Sequence, residues 1–273
     1  MVILGDRDMM IKELIEKSKK IVIKIGSNTL SNDNGSINRD FLKAFADQVT
    51  HLMEMGKQVV VVSSGARISG VATLGKWMRR QDMHYKQALC AIGQVELMDA
   101  YRRVFIEHDL HIAQLLLTRG DFSDPHRILN IRNTLFTLVD EGVVPIINEN
   151  DTVSIEEIKI GDNDTLAALT SNLWNADLLI LFSDIDGIYN KNPKAHKDAE
   201  LIEEVSDIKD LLQVIEIGDT NDFGTGGIAT KIEAAKKVNN YGMPMILANG
   251  KKENILFKLL EGTEKATIFW PNN

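Results

Sequence analysis

Residues 21–62 read IVIKIGSNTLSNDNGSINRDFLKAFADQVTHLMEMGKQVVVV, and this stretch predicts the class of fold. Two β-branched runs, Ile21–Ile25 and Val59–Val62, are typical of strands. Between them, apolar residues recur every three or four positions over residues 41–53, as on one face of a helix. A strand–helix–strand unit whose second strand is fully apolar indicates a parallel sheet that is covered by helices on both faces.

The same alternation of strand and helix patterns continues along the chain. Asn38 is placed to cap the first helix and Gly56 to end it. The further predicted strands are Ile112–Leu117, Val143–Ile147, Leu178–Phe182 and Met245–Ala248, and the further predicted helices lie near residues 86–107, 127–140, 164–174, 207–215 and 229–240. We therefore predict an α/β protein, a three-layer α/β/α sandwich around a mostly parallel open sheet.

The sequence contains no low-complexity linker and no internal repeat, so residues 20–273 are predicted to form one main domain. Residues 1–19 are predicted to form an additional amphipathic helix, with Ile11, Leu14 and Ile15 on its apolar side. Residues 153–160, VSIEEIKI, are predicted to form a small hairpin arm.

Charge and cysteine content exclude several classes of protein. The 273 residues include 31 Lys and Arg against 39 Asp and Glu, a net charge of −8, which argues against a nucleic-acid or membrane-surface partner. The one cysteine, Cys90, can form neither an internal disulfide nor a cysteine-based zinc site. No apolar run approaches the roughly 18 residues that span a bilayer. We therefore expect a cytoplasmic protein.

Small, polar or acidic residues follow the predicted strands, where ligands bind in open α/β sheets. These segments are Gly26–Asn28, Ser63–Ala66, Asn148–Asp151 and Ser183–Gly187, together with two loops rich in Gly and Asp at residues 161–164 and 224–227.

Lys24 is a charged residue inside an otherwise apolar strand. One interpretation is an edge-strand lysine whose amine extends into water. The other is a cation directed at phosphate oxygens, with the backbone N–H groups of Gly26 and Ser27 beside it. The residue by itself leaves both interpretations open.

The loop at residues 224–227, Gly-Thr-Gly-Gly, precedes a predicted helix that carries Lys231. Its glycines would let backbone amides approach an anion at the start of that helix. The spacing of Gly224, Gly226 and Ala229 also fits G-x-G-x-x-A, but no strand precedes it and no acid follows about 20 residues later, so we reject a dinucleotide site. No Walker A motif occurs in the chain. A phosphate-binding loop and an ordinary glycine-rich turn both remain open.

Carboxylates are the third element of the pattern. Asp162 and Asp164 flank Asn163, and Asp151 follows Glu149 by two positions. One interpretation makes Asp164 a cap of the helix that follows it. The other combines lysines, amides and carboxylates into the set of groups that phosphoryl transfer requires, with Mg²⁺ bridging the phosphates.

Six motifs in a fixed order resemble the amino acid kinase family, and within it the branch that phosphorylates the side-chain carboxylate of glutamate. INEND followed by IGDND is the most discriminating pair. The motifs are KIGSNTL (24–30), VSSGA (62–66), LLLTR (115–119), VVPIINENDTVSIEEIKIGDNDTLAAL (143–169), SDIDGIY (183–189) and GTGGIATK (224–231). Together they extend the resemblance over residues 20–270.

The resemblance implies ATP-dependent phosphorylation of L-glutamate to L-glutamyl 5-phosphate, the first step of proline biosynthesis, with ATP and Mg²⁺ as cofactors and no metal held by protein ligands alone. Lys24 and Lys231 would stabilise the transferred phosphoryl group, and Asp164 would orient both lysines. The residues expected to bind glutamate are Ser64, Gly65, Ala66, Asp151 and Asn163. The residues expected to bind ATP are Lys24, Ser183, Asp184, Thr225, Gly226, Gly227, Ile228, Ala229, Thr230 and Lys231.

The resemblance also implies a domain layout and partners. Residues 20–173 would form a glutamate lobe and residues 174–273 an ATP lobe. Proline would act as a feedback inhibitor, and the protein would be a homo-oligomer. Because the sequence stops at Asn273, we expect a short form without the PUA domain that many relatives carry.

The residue chemistry agrees with this reaction. A γ-carboxylate has a reference pKa of about 4.3, so it is ionised at neutral pH and needs no general base. The barrier is then mainly repulsion between anions, about 4 kcal/mol for unit charges roughly 4 Å apart at an effective dielectric constant of about 20. Two lysines and Mg²⁺ would reduce it, and Asp151 would take the ammonium group of the substrate.

Two alternatives stay open on the sequence. The first is a sister kinase whose acceptor is acetylglutamate, aspartate, carbamate or UMP, although Glu149 and Asp151 favour an acceptor that carries an amine over UMP. The second is a non-catalytic amino-acid sensor. Binding alone does not require Lys24, Lys231 and Asp164 together, so their presence argues against a sensor.

Overall fold

The structure is a computed structural model in which residues 5–75, 82–154, 163–193, 195–215 and 227–271 are described, the side chains of residues 5–9 excepted. The helices in these ranges are α1 (Gly5–Lys17), α2 (Ser27–Leu30), α3 (Arg39–Glu54), α4 (Ala66–Leu74), α5 (Met83–Ile106), α6 (Pro125–Asp140), α7 (Asn163–Trp174), α8 (Ile208–Val214), α9 (Ile228–Asn239) and α10 (Ile255–Glu261). The strands are β1 (Lys20–Ile25), β2 (Gln58–Val62), β3 (Ile112–Leu117), β4 (Val144–Glu149), β5 (Leu178–Ser183), β6 (Ile188–Tyr189), β7 (Leu201–Ile202), β8 (Glu204–Val205), β9 (Met245–Asn249) and β10 (Thr267–Phe269).

The chain folds into two units, each with its own interior. One contains residues 25–163, and we call it the 25–163 unit. The other joins residues 1–24 to residues 164–273, and we call it the 164–273 unit. The family resemblance implied two lobes that meet near residue 173, and that layout stays a prediction, as does the assignment of one lobe to each ligand.

In the 25–163 unit, three parallel strands lie in the order β3-β4-β2. Every residue of β4 is buried, as expected for a strand covered on both faces. The strand extends two residues beyond its predicted end, so Asn148 and Glu149 belong to the strand itself. Their side chains are therefore held by the sheet and do not lie on a loop.

Helix α3 confirms the interpretation of the opening stretch. The side chain of Asn38 accepts a hydrogen bond from the backbone N–H of Phe41 at 3.0 Å, as an N-cap residue should. Leu42 and Phe45 are fully buried on its apolar face. Just beyond the helix, Gly56 has a φ of 78°, the left-handed conformation that commonly ends a helix.

Helices α4 and α5 approach each other closely at two glycines. A Cβ atom on Gly93 would lie 1.7 Å from the carbonyl oxygen of Ala66, and one on Gly70 would lie 2.0 Å from the carbonyl oxygen of Leu89. Both positions therefore require glycine. The contact fixes α5 against the first residue of α4, which directly follows the predicted substrate residues Ser64 and Gly65.

In the 164–273 unit, the strands lie in the order β1-β5-β9-β10-β8. Strands β5 and β9 are parallel with Ser183 opposite Asn249, so the segments that follow them leave from the same edge of the sheet. Strand β10 is antiparallel to β9, and β6 pairs with β7 in a separate two-stranded sheet. This mostly parallel pairing, with helices between the strands, agrees with the predicted α/β class.

The N-terminal helix belongs to the 164–273 unit, where α1 contacts α10. Of the residues predicted on its apolar side, Ile11 and Ile15 are buried and Leu14 is half-buried. Of the predicted hairpin arm, residues 155–160 lie outside the described residues. No helix in the described part of the chain combines the length and the apolar character that crossing a membrane requires.

Candidate active site

Two lysines meet on one carboxylate inside the 164–273 unit. The amine of Lys24, on β1, lies 2.5 Å from Oδ1 of Asp164, and the amine of Lys231, on α9, lies 3.3 Å from Oδ2. The side chains of the three residues are 9%, 5% and 1% exposed for Lys24, Lys231 and Asp164 respectively. Lys24 is therefore not a lysine that extends into water. The sequence predicted all three residues, and the structure places them together.

Asp164 lies in the first turn of α7, but its side chain is not used to cap that helix. Besides the two lysine contacts, its Oδ2 lies 3.0 Å from the hydroxyl of Thr230. That hydroxyl also lies 2.8 Å from the carbonyl oxygen of Gly227, so its one hydrogen can serve either acceptor. Asp164 thus links the start of α7 to the start of α9.

The charges of the lysines determine the ionisation of Asp164. Burial by itself would raise the pKa of this carboxyl group, but the charges of Lys24 and Lys231, with hydrogen bonds from Lys24 and Thr230, outweigh it and lower the pKa. The carboxylate is therefore ionised at neutral pH. With one formal negative charge against two positive ones, the cluster keeps an excess positive charge, which suits an anionic ligand.

Helix α9 begins beside this cluster. Gly227 is its N-cap residue with no side chain to cap the helix, and the first two helical residues, Ile228 and Ala229, are exposed. The first amides of an α-helix have no partner within the helix and carry partial positive charge. Thr225 and Gly226, which the sequence also assigns to ATP, lie outside the described residues, as does Asp162.

The end of strand β5 carries the other predicted nucleotide residues. Ser183 is buried, and its hydroxyl donates to Oδ1 of the exposed Asp184 at 3.3 Å. In the same unit, the carboxylate of Asp186 accepts hydrogen bonds from Asn249 at 2.9 Å and from Tyr189 at 3.2 Å, and pairs with Lys252 at 2.8 Å.

Asp186 lies in the segment Ser183–Gly187 that was expected near a ligand, but its partners Asn249 and Lys252 were not predicted. Burial raises the pKa of Asp186, but hydrogen bonds from Lys252 and Asn249 outweigh it, so the pKa is lowered and the group is ionised. Asn249 ends strand β9, so the rule that ligands bind beyond strand ends could have found it. Lys252 carried no such signal, because its partner lies far away along the sequence.

A second group of polar residues lies in the 25–163 unit. The amide nitrogen of Asn163 donates to the carbonyl oxygen of Ser63 and to Oδ1 of Asn148, the latter at 2.8 Å. This places Asn163 against the turn that contains Ser64, Gly65 and the following Ala66.

The predicted substrate residues of that turn are suited to the close approach of a ligand. Ser64 and Ala66 are buried, and Gly65 has a φ of 90°, a conformation that side chains rarely allow. Asp151 is half-buried in the turn that follows β4. The roles of all these residues in binding stay predictions.

Gln94 and Asn148 extend this second group and were not singled out as site residues. The amide nitrogen of Asn148 donates to Oε1 of Gln94 at 2.9 Å, and both side chains are buried. Gln94 lies in a helical stretch, KQALCAIGQ, where nothing in the local sequence distinguishes it from a surface glutamine.

A buried pair of lysines held by one carboxylate, on a mostly parallel α/β scaffold, is suited to a phosphate group. A sequence profile described as the amino acid kinase family matches residues 19–249. The chain belongs to the amino acid kinase family.

Individual relatives narrow this class. A glutamate 5-kinase from Alkaliphilus metalliredigens (strain QYMF) is 78% identical over 260 residues, which cover 95% of this chain and 98% of that protein. A glutamate 5-kinase from Alkaliphilus oremlandii (strain OhILAs) is 67% identical over 261 residues, which cover 96% of this chain and 99% of that protein.

The fold is also similar to that of a solved structure, the crystal structure of UMP kinase from Ureaplasma parvum. The TM-score is 0.64 at 17% sequence identity, and the match covers 93% of this chain and 99% of that one. At this identity the likeness concerns the fold alone. It confirms the predicted α/β sandwich around a mostly parallel sheet.

Proposed function

We propose that the chain transfers the γ-phosphoryl group of ATP to the γ-carboxylate of L-glutamate, giving L-glutamyl 5-phosphate and ADP. The observation that carries this proposal is the convergence of Lys24 and Lys231 on Asp164 in a buried site. The names of the two similar Alkaliphilus proteins support glutamate as the acceptor. The reaction would be the first step of proline synthesis.

The lysines act on the charge that develops during transfer. A carboxylate oxygen of glutamate forms a bond to the γ-phosphorus as the bond from that phosphorus to the β,γ-bridging oxygen breaks, and ADP leaves. No proton is transferred, so no general base is required. The amines of Lys24 and Lys231 stabilise the negative charge on the phosphoryl oxygens, and their burial strengthens the interaction.

Asp164 is the positioning residue for both amines. A lysine side chain has four rotatable bonds, and fixing its amine in one place costs conformational entropy. Because Asp164 holds both amines before substrate binds, this cost falls on folding and not on the catalytic step. The hydroxyl of Thr230 adds a further contact to the same carboxylate.

We assign Ser64, Gly65, Ala66, Asp151 and Asn163 to glutamate, and Ser183, Asp184 and residues 225–231 to ATP. In the described part of these assignments, Asn163 contacts the carbonyl of Ser63, the residue before Ser64. The exposed N-terminus of α9, which begins at Ile228, offers backbone N–H groups to phosphate oxygens.

Mg²⁺ enters this proposal as part of the substrate, MgATP. Among the described residues, no group of three or more His, Cys, Asp or Glu side chains could hold a metal ion. Both oxygens of Asp164 are already occupied by lysine amines. These residues do not form a protein cage for the ion, and Mg²⁺ in kinases is commonly bound through phosphates and water.

Feedback inhibition by proline, a homo-oligomeric state and a cytoplasmic location stay predictions of the same proposal. A sister kinase with another acceptor and a non-catalytic sensor are the competing functions. No contact among the described residues favours either of them over a glutamate kinase.

One assay separates the three functions. Purified protein is incubated with MgATP and hydroxylamine, which converts an acyl phosphate into a hydroxamate, and the acceptor is varied among glutamate, aspartate and N-acetylglutamate. We expect hydroxamate with glutamate. Hydroxamate with aspartate or N-acetylglutamate but not with glutamate would identify a sister kinase. Tight binding of an amino acid with no turnover of any acceptor would identify a sensor.

A further inference from the structure

A backbone N–H group sets the orientation of three side-chain amides in the 25–163 unit. The N–H of Glu149 can only donate, and it donates to Oδ1 of Asn148 at 2.9 Å. The other end of that side chain must therefore be Nδ2. This nitrogen donates to Oε1 of Gln94 at 2.9 Å. The oxygen and nitrogen positions of Asn148 and Gln94 are thus fixed by the hydrogen bonds themselves.

Asn163 is oriented by the same group. Oδ1 of Asn148 accepts a second hydrogen bond, from Nδ2 of Asn163 at 2.8 Å. Nδ2 of Asn163 also donates to the carbonyl oxygen of Ser63, so both of its hydrogens are used. The Asn163 side chain therefore has its oxygen, and not its nitrogen, available as the group that can recognise a ligand. A carbonyl oxygen recognises a donor, such as an ammonium group.

Gln94 is the buried end of this series of hydrogen-bonded side-chain amides, Gln94–Asn148–Asn163, which we call the amide relay. The residue is 9% exposed, and among the described residues its Nε2 has no hydrogen-bond partner. Only its Oε1 is used, as the acceptor for Asn148. A leucine or methionine would fill this volume without the unsatisfied Nε2 donor, which costs about 1–3 kcal/mol, but it would leave Nδ2 of Asn148 without its acceptor. The amide of Gln94 is therefore explained by its hydrogen bond to Asn148 and not by packing.

We propose that Gln94 is a positioning residue that determines selectivity for acceptors bearing an ammonium group. It holds the amide relay Gln94–Asn148–Asn163 in the orientation that turns the Asn163 oxygen toward the acceptor. The inference rests on the proposed function, since it takes glutamate as the acceptor. It assigns to Gln94 an action through two other residues, with no contact to substrate.

The surroundings of Gln94 explain how one helix can maintain this orientation. The residue before it, Gly93, packs directly on the carbonyl of Ala66, so this part of α5 cannot shift relative to the start of α4. Without Oε1 of Gln94, the Nδ2 donor of Asn148 would be buried with no acceptor. Rotation of the Asn148 side chain toward another acceptor would then remove its Oδ1 from Asn163.

The test compares two ligands that differ only in the ammonium group, L-glutamate and glutarate. Binding of each is measured by calorimetry, and the readout is the ratio of the two dissociation constants. Gln94→Met removes the acceptor while keeping the volume, and Gln94→Asn shortens the side chain beyond reach of Asn148. Gln94→Glu keeps an oxygen that can accept from Asn148. Gln48→Met is the matched control, because Gln48 is a buried glutamine of the same unit whose amide donates to the carbonyl of Ala44 in its own helix.

We expect wild type to prefer glutamate over glutarate. This preference should fall about tenfold in Gln94→Met and Gln94→Asn, since a hydrogen bond to a charged group is weakened. It should stay within about twofold of wild type in Gln48→Met and should not fall in Gln94→Glu. Glutamate carries one net negative charge and glutarate two, so an added carboxylate disfavours glutarate more, and the charge of Gln94→Glu cannot by itself lower the ratio. If Gln94→Met does not fold, Gln94→Asn and Gln94→Glu still decide the matter.

Three results would overturn the proposal: an unchanged ratio in Gln94→Asn or a folded Gln94→Met, an equal loss of the ratio in Gln48→Met, or a wild type that does not distinguish the two ligands. Failure of the proposed function would look different. In that case wild type would form no hydroxamate from glutamate, yet the glutamate preference and its dependence on Gln94 would still be measurable by calorimetry.

Discussion

The amine of Lys24 lies 2.5 Å from Oδ1 of Asp164, and the two residues are the last before and the first after the 25–163 unit along the chain. Their ion pair therefore connects the two separate segments of the 164–273 unit. It is also the centre of the proposed catalytic cluster. Changes at Asp164 should thus affect stability and activity together, which distinguishes it from a residue that only contacts substrate.

Asp164→Asn is expected to destabilise the protein by about 3–5 kcal/mol, because it removes the negative charge that the buried amines of Lys24 and Lys231 share. Urea unfolding followed by circular dichroism measures the change. Asp99→Asn is the matched control, since Asp99 also pairs with two cations, Arg102 and Arg103, but at the surface. Surface pairs contribute little. Equal shifts in the two variants would contradict the role given to the buried site.

The contribution of Asp164 to stability should depend on pH. The folded protein lowers the pKa of this group below the ordinary value of about 3.9 that applies to the unfolded chain. The stabilisation is therefore complete above about pH 4 and is lost as the pH falls through the lower pKa of the folded state. The difference in unfolding free energy between wild type and Asp164→Asn should be constant from about pH 7 to 5 and shrink below about pH 4. If the difference in unfolding free energy shrank toward higher pH instead, the predicted direction of the pH dependence would be wrong.

Lys231→Met is expected to lower kcat by about a hundredfold or more while changing the glutamate KM little, because the amine acts on charge that develops in the transition state. Steady-state kinetics with varied glutamate measure both constants. Lys237→Met is the control on the same helix, since Lys237 forms a surface pair with Glu233. A raised glutamate KM with unchanged kcat would place Lys231 in acceptor binding instead.

Asp151→Ala is expected to change mainly the glutamate KM, in contrast to Lys231→Met, which should change mainly kcat. If its carboxylate holds the ammonium group of glutamate, its loss should raise the glutamate KM by roughly ten- to a hundredfold and leave the ATP KM near its wild-type value. Asp140→Ala, at an exposed position in the same unit, serves as the control. The assignment fails if the ATP KM rises as much as the glutamate KM.

Gly93→Ala tests the close approach of α4 and α5. The added Cβ would lie 1.7 Å from the carbonyl oxygen of Ala66, so backbone must move and the expected cost is about 3 kcal/mol or more in unfolding free energy. Gly75→Ala is a useful comparison, because nothing lies within 4 Å of a Cβ there, although its φ of 60° still disfavours alanine. A smaller loss in Gly93→Ala than in Gly75→Ala would disprove the packing argument.

Local sequence patterns predicted the parts of the fold that depend on neighbouring residues. The cap at Asn38 and the buried strands such as β5 follow from spacing and apolar character within a few positions. Helix α4 was not predicted, because its nine residues include Gly70 and show no clear apolar period. Strand β10 was missed too, since three residues carry too little pattern.

The residues of the candidate site also divide into those that local sequence could predict and those that it could not. Lys24 drew attention because a lysine is unusual among apolar strand residues, yet its partner could be inferred only through the family resemblance. Gln94 gave no signal, because its significance depends on Asn148, 54 positions away. Amide orientation in particular is a property of the assembled hydrogen bonds, and residue type alone does not encode it.

The single cysteine of the chain has a practical consequence. Cys90 is buried on α5, one turn before Gln94, in the helix that Gly93 fixes against α4. Thiol reagents reach a buried sulfur only when the surrounding segment opens. The rate at which Cys90 reacts with a thiol reagent therefore measures how often this part of α5 opens. Comparing that rate with and without an amino acid would show whether the ligand makes the helix more rigid, and no engineered probe is needed.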